Sequence, residues 1–386
     1  METIKLYDED AYAIGFEATV LSCVPSERNK TKCYAVVLDR TLFFPEEGGQ
    51  SPDQGEINGH EVIDVQISQN VITHYVLEEP FEINSTVHGL IDFKHRFSNM
   101  QQHSGEHIFS GLVSSMYGFN NVGFHLSDNS VTMDYDGVLT ANDIEILEKK
   151  VNEAIYKNIE IVCEYPDAAT LVKKNYRCKK ELSGAIRIVT IPGYDCCACC
   201  APHVKKTGEI GVLKVIRLQN YKGGVRLHIL CGERAVNYFR ESLNLIDSLT
   251  DVLTTGRENL KENITSMKDE LQRLSSKLAV AKQDLLLKEL ANLPESEKDV
   301  TLFREKTDSF IMRNVLNRLV EKHEGFCSFF SGSDEDGWTY FIGSRTKDCR
   351  DVQKKLSKIS ARGGGKPEMI SGSVKATKEA IMNALA

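Results

Sequence analysis

The stretch "QQHSGEHIFSG" sets His103 and His107 four residues apart, and "DCCACCAPHVKKTGEIG" sets Cys199 and His203 four apart about 90 residues later. Residues four apart on a helix share one face, with Cβ atoms roughly 5–6 Å apart, so two imidazoles there can reach one ion. A lone pair at this spacing is weak evidence, because helical histidines recur by chance. The second pair changes that. Thiolate and imidazole are the ligands a borderline-soft cation such as Zn2+ takes tetrahedrally. His103, His107, Cys199 and His203 make a set of one cysteine and three histidines, and the fold must then bring two distant segments together. Cys197 is an alternative thiolate, and Cys196 and Cys200 read as packing or outer-sphere residues. The plainer alternative is a buried cysteine cluster without metal.

"HSGEH" also fits H-x-x-E-H, in which two histidines hold zinc and the glutamate activates water for peptide hydrolysis. That reading needs an acidic third ligand and an open fourth position. Here the obvious partners are a thiolate and a third histidine, which would close the shell.

The chain of 386 residues suits two to four domains. Eleven cysteines, an odd number with four crowded together, suit a reducing compartment better than a disulfide framework. No apolar run of about 18 residues implies a membrane span, and the N-terminus lacks the basic and apolar regions of a signal peptide. A cytoplasmic location is expected. The net charge of −8 argues against indiscriminate nucleic-acid binding. It is uneven, however. From Lys298 onward 16 basic residues face 12 acidic ones, and between Arg345 and Lys378 the ratio is 10 to 3. A local basic surface on an acidic chain suits a specific polyanion contact, although an ordinary solvated helix face has the same composition.

The patterning predicts an α+β chain in four parts. Residues 1–92 read as short strands ("FEATVLSCV", "CYAVVLD", "GEINGHEVIDVQI", "VITHYVL") forming a small β-barrel. Residues 93–232 mix helix and strand, with "FSNMQQHSGEHIFSGLVSSMYG" as an amphipathic helix and Thr140 with Asp143 as a capping box. Residues 233–292 form a long helix. From Leu260 to Leu285 its apolar residues keep an unbroken 3,4 spacing, a coiled-coil seam that serves either an intramolecular hairpin or a homodimer. "ANLPESEKDV" reads as a linker, and residues 299–386 as a small α/β domain.

"FFPEEGGQSPDQGEI" packs Pro45, Gly48, Gly49, Pro52 and Gly55 into one bend. It reads as a loop between barrel strands or as a turn where backbone approaches a ligand closely. Taken in order, this bend, "QQHSGEHIFSG" and "CCAPHVKKTGEIG" resemble the editing domain of alanyl-tRNA synthetases and their free-standing AlaX relatives. Two departures stand out. Glu47 occupies the place of the first of three usual glycines, and Cys200-Ala201-Pro202 replaces a Gly-Gly-Thr type of sequence. "ARGGGKPEMISGSV" resembles the glycine-rich signature of the synthetase C-terminal domain, and no aminoacylation half precedes it.

The resemblance implies hydrolysis of mischarged tRNA(Ala), chiefly Ser-tRNA(Ala) and secondarily Gly-tRNA(Ala), at a zinc site held by His103, His107, Cys199 and His203. Editing exists because a pocket that accepts alanine excludes glycine or a small hydroxyl analogue only weakly. Glu106, the nearest carboxylate, and Gln50 are the candidate catalytic residues, with a surface or salt-bridged role as the alternative for Glu106. Gly48, Gly49 and His125 are expected at the substrate pocket, His125 otherwise in the core. Arg362, Gly363, Gly364, Gly365 and Lys366 are the implied tRNA contact. A tRNA-binding module with an inactive site is the other expectation.

Overall fold

A computed structural model of the chain describes residues 2–28, 30–78, 80–128, 130–178, 185–291 and 298–386. These residues form two compact units, Met1–Ile246 and Asp247–Ala386.

In the first unit six strands close into a barrel, in the order Gly15–Arg28, Thr31–Leu38, Val71–Val76, His60–Ser68, Gly55–Ile57 and Thr86–Ile91. The alternation that marks them as strands is kept. Val71–Val76 and Thr86–Ile91 each turn every second residue inward, and Val20, Val36, Ile57, Val65, Ile72 and Val87 fill the interior. The glycine bend leaves this barrel and is fixed to the helix Phe93–Tyr117 by a buried ion pair. Arg96 Nε lies 2.8 Å from Asp53 Oδ1, both side chains are fully enclosed, and Arg96 also donates to the carbonyl of Leu42.

The helix Phe93–Tyr117 starts at Asp92, whose carboxylate accepts from the His95 amide at 3.0 Å, and stops at Gly118 with φ +72°. It is not amphipathic as expected. Every residue from Asn99 to Val113 is buried, because sheet or helix packs against it on several sides. On one side lies an antiparallel sheet of Leu213–Tyr221, Gly224–Cys231, Val131–Tyr135 and Asn121–Leu126. On another lies the small sheet Val162–Glu164, Ile188–Ile191 and Asp195–Ala198. Its polar residues are satisfied by backbone. Gln102 exchanges two hydrogen bonds with Cys231, at 2.9 and 2.7 Å, and Gln101 donates to the Glu209 carbonyl. The expected capping box is present at the next helix, Ala141–Lys157.

The second unit holds a five-stranded sheet in the order Val300–Arg304, Cys327–Ser333, Gly337–Gly343, Met369–Val374 and Arg362–Lys366, with helices Ser309–Lys322, Cys349–Ser357 and Lys378–Leu385. The single long helix of the sequence reading is two, Gly232–Leu253 and Leu260–Ala291. The break falls at Thr254, with φ +48°, followed by Thr255 and Gly256, all poor helix formers. Leu286 and Leu290 pack into the core of the second unit, whereas Met267, Leu271, Leu274, Leu278 and Leu285 are exposed. Among the described residues, nothing covers this seam. The expected linker falls largely on residues 292–297, outside the described residues. No helix among the described residues is long and apolar enough to cross a membrane.

Candidate metal centre

The helix Phe93–Tyr117 presents His103 and His107 to the segment that leaves the strand Asp195–Ala198. There Cys199 and His203 complete the group: one ligand atom from each of the four residues lies within 4.8 Å of the others. Cys199 Sγ is 3.6 Å from His103 Nε2 and 3.4 Å from His203 Nε2. A tetrahedral ion with Zn–N and Zn–S distances of 2.0–2.3 Å places such ligand atoms about 3.5 Å apart, so the donor set fits a metal of that kind. Cys199 is the cysteine that groups with the three histidines. Cys197 instead lies with His107 and Asp195.

Each imidazole spends its Nδ1 on a protein partner and leaves Nε2 for the common point. His103 Nδ1 meets Gln50 Oε1 at 2.7 Å, His107 Nδ1 meets Asp195 Oδ2 at 2.9 Å, and His203 Nδ1 meets Ser104 Oγ at 3.0 Å. Such outer partners fix the ring orientation and tautomer of a metal-binding histidine. Arg177 in turn holds Asp195 through bonds of 2.7 and 2.8 Å.

The electrostatics favour cation capture. Burial pushes the Cys199 thiol up, but the adjoining imidazoles of His103 and His203 outweigh it and hold the group well below the usual thiol range. Burial pushes His203 down to about 3, leaving a neutral ring able to donate a lone pair. Burial would lower His107 too. Its bond to Asp195 and the nearness of Cys199 prevail and raise it.

Gly49 and Gln50 reach this centre through a close backbone approach. At Gly49, φ is +86° and an added Cβ would stand 2.2 Å from the carbonyl oxygen of Phe124. The tight approach required of the bend is therefore to the strand Asn121–Leu126. Two hydrogen bonds seal it, Leu126 amide to Gly49 carbonyl at 2.7 Å and Ser51 amide to Leu126 carbonyl at 2.9 Å. Gly48 has φ +64° and faces Cys200, with Sγ 3.9 Å from an added Cβ. The two departures from the glycine pattern are neighbours, since Glu47 and Cys199 beside Cys200 help burial push that thiol up.

Glu106 is buried and is no surface residue. Its Oε1 accepts from Ser110 and Asn121, both at 2.6 Å, and its Oε2 lies 3.9 Å from His107 Nε2. His125 is not in the core. Strand alternation sends Phe124 toward His103, with ring centroids 4.7 Å apart, and leaves His125 exposed. Arg362–Lys366 form an exposed strand at the sheet edge of the second unit.

Asp195, Arg177, Ser104 and Phe124 escaped the sequence reading. For Asp195 a signal existed: on a strand, positions 195 and 197 share a face, so the alternative thiolate Cys197 pointed back to it.

Two families match parts of the chain. The threonyl and alanyl tRNA synthetase second additional domain matches residues 186–228, and the class II (A) tRNA synthetases match residues 8–95. The alanyl-tRNA editing protein Aarsd1 of Danio rerio is 27% identical over 94% of this chain and 92% of its own length. The alanyl-tRNA editing protein AlaX-L of Pyrococcus horikoshii is 26% identical over 98% and 96%. An alanine–tRNA ligase of Hyperthermus butylicus is 28% identical over 96% of this chain but 42% of its own length. The resemblance seen in the three motifs extends along nearly the whole sequence: the chain is a homologue of the alanyl-tRNA editing proteins.

Proposed function

We infer that this chain is a trans-editing aminoacyl-tRNA hydrolase that cleaves the ester of mischarged tRNA(Ala), with Ser-tRNA(Ala) as its main substrate and Gly-tRNA(Ala) as a second, in the cytoplasm. The observation that carries the reading is the cage of His103, His107, Cys199 and His203 in a chain homologous to editing proteins along its length.

Zinc is the metal that His103, His107, Cys199 and His203 would hold, and it would supply a fixed positive charge to the site. A shell closed by four protein ligands leaves the chemistry to neighbouring side chains and positioned water. Gln50 is the first of these. With Oε1 engaged by His103, its Nε2 is buried and has no hydrogen-bond partner among the described residues. It is placed to donate to an ester oxygen. Glu106 is the candidate base, with Oε2 3.9 Å from His107 Nε2. The closed shell and the absence of an acidic ligand from the cage count against the H-x-x-E-H peptidase.

The basic edge strand with Arg362, Gly363, Gly364, Gly365 and Lys366 is the second tRNA contact. Its outer edge offers unpaired backbone amides, and nothing within 4 Å crowds Gly364. Two linked weak contacts gain affinity through effective concentration. The exposed seam from Met267 to Leu285 is the surface on which a second copy pairs, which sedimentation of the wild type beside Leu271→Lys tests.

The deciding experiment is deacylation of Ser-tRNA(Ala), Gly-tRNA(Ala) and Ala-tRNA(Ala) by wild type and Cys199→Ala. Loss of serine or glycine that spares alanine and needs Cys199 is expected. Hydrolysis of none by metal-replete protein leaves a tRNA-binding module.

A further inference from the structure

Glu47 sits at the head of the glycine bend, in a turn closed by the Gln50 amide to the Glu47 carbonyl at 3.0 Å and the Glu47 amide to the Gln50 carbonyl at 3.3 Å. This turn is tied to the metal centre twice. Gln50 meets His103, and the Glu47 side chain lies beside Cys200, the residue after Cys199. The bend itself is open on this side, since Gly48 and Gly49 are exposed.

The Glu47 carboxyl is hydrogen-bonded to the Cys200 side chain, while its Oε2 is shielded from solvent and has no hydrogen-bond partner among the described residues. A shielded acceptor without a donor is costly, and folded chains seldom keep one without a use. The other polar atoms near the bend without a hydrogen-bond partner among the described residues are Gln50 Nε2, Ser51 Oγ, Tyr7 Oη and Asp8 Oδ1, the last 3.4 Å from Arg187 Nε. Tyr7 is itself raised by burial, with Asp8, Glu47 and Cys200 adding to the shift. Beside a cage of three imidazoles, the Glu47 carboxylate is therefore the acceptor not engaged by an arginine, with Gln50, Ser51 and Tyr7 as potential donors.

An aminoacyl ester complements that set. Its α-ammonium is a three-proton cation one carbon from the ester carbonyl, and it must be placed next to a cationic centre whose shell is already closed by protein. A carboxylate with an unmatched oxygen is the group that can hold it.

We propose that Glu47 binds the free α-ammonium of the aminoacyl ester, so that the site accepts tRNA esters with an unmodified amine and refuses those acylated on nitrogen. This rests on the hydrolase reading above and specifies its substrate class. Acylation removes the charge and two of the three protons and adds bulk where Glu47 and Cys200 meet. N-formyl, N-acetyl and peptidyl esters are excluded for the same reason.

The test compares Ser-tRNA(Ala) with the same preparation N-acetylated by acetic anhydride, using wild type and Glu47→Gln in the full, zinc-loaded chain. Wild type is expected to cleave the free amine far faster. E47Q should lose about 10- to 100-fold in kcat/KM on the free amine, the range for a hydrogen bond to a charged group, with little change on the acetylated ester. An equal loss on both esters means a purely structural role and overturns the proposal, as does no loss on either. A second measurement is independent of hydrolysis: the affinity of both proteins for the uncleavable seryl amide of 3′-amino-3′-deoxyadenosine and for its N-acetyl form. Wild type should prefer the free amine and E47Q should not. Equal wild-type affinity for the two overturns the proposal even if hydrolysis proceeds. Preference for the free amine without hydrolysis of either ester sinks the hydrolase reading and leaves the Glu47 assignment standing.

Discussion

Nδ1 of His107 and Oδ2 of Asp195 lie 2.9 Å apart, with both side chains almost fully shielded from solvent. Arg177 holds the same carboxylate from the other side. The chain Arg177–Asp195–His107 fixes the imidazole with Nε2 toward the ligand cage and raises its basicity. Asp195→Asn keeps the shape but removes the charge. It should weaken metal binding at the cage about 10- to 100-fold, the range for outer partners of a ligating histidine. Competition with a chromogenic chelator measures this directly, and unchanged affinity would show that Asp195 serves only the local fold.

His74 supplies a pH dependence remote from the metal. It is fully buried in the barrel, with Nε2 2.8 Å from Thr41 Oγ1 and Nδ1 3.2 Å from the Val36 carbonyl. Burial pushes it down to about 4, so the folded state keeps it neutral while the unfolded chain takes up a proton near pH 6.5. Between those values the unfolded state binds more protons, and stability falls as pH falls. From pH 7 to pH 5 the loss should be about 2 kcal/mol. Urea unfolding at the two pH values should show it in the wild type, and His74→Gln should lessen the difference. An undiminished difference in the variant would place the acid sensitivity elsewhere.

Asp53 and Arg96 fasten the glycine bend to the ligand helix inside a fully enclosed environment. Asp53 also accepts from the Phe44 amide at 2.6 Å. Asp53→Asn strands a buried guanidinium, which typically costs about 3–5 kcal/mol. The double change Asp53→Leu, Arg96→Met removes both charges and should recover much of that loss. A double variant no more stable than D53N would mean that the backbone contacts of Arg96, not the charge pair, carry the effect.

The barrel strands and the meeting of the two candidate ligand pairs were legible because each rests on a local rule: period-two alternation for the strands, four-residue spacing for the pairs. His103 to His203 needed only the assumption that one ion joins them. What failed lay beyond short-range patterning. The helix around His103 reads as amphipathic since Gln101, Gln102 and Glu106 are polar, yet partners more than 100 positions away satisfy Gln101 and Gln102. Phe124, not His125, lies against His103, because neighbouring residues on a strand take opposite faces. The tandem Thr254–Gly256 breaks a helix that heptad counting alone carries through.

The glycines separate in the same way, and their contrast makes the last test. At Gly49 an alanine meets two obstacles: φ of +86°, which costs an L-residue roughly 1–2 kcal/mol, and the Phe124 carbonyl 2.2 Å from the new Cβ. Neither backbone can yield without breaking the hydrogen bonds of Gly49 and Ser51 to Leu126. Because Gln50 follows directly and braces His103, the disturbance passes to the cage. Gly49→Ala should therefore lose more than about 2 kcal/mol of stability and also weaken metal binding. Gly364 stands on an exposed edge strand with nothing within 4 Å of an added Cβ. Gly364→Ala should stay within about 0.5 kcal/mol of wild type and leave metal affinity unchanged. Any fall in tRNA affinity it causes is then a direct effect at the edge strand. Thermal unfolding, chelator competition and filter binding of tRNA on the two variants read the three quantities. A Gly49→Ala protein with wild-type stability and metal affinity would refute the close-approach account of the bend.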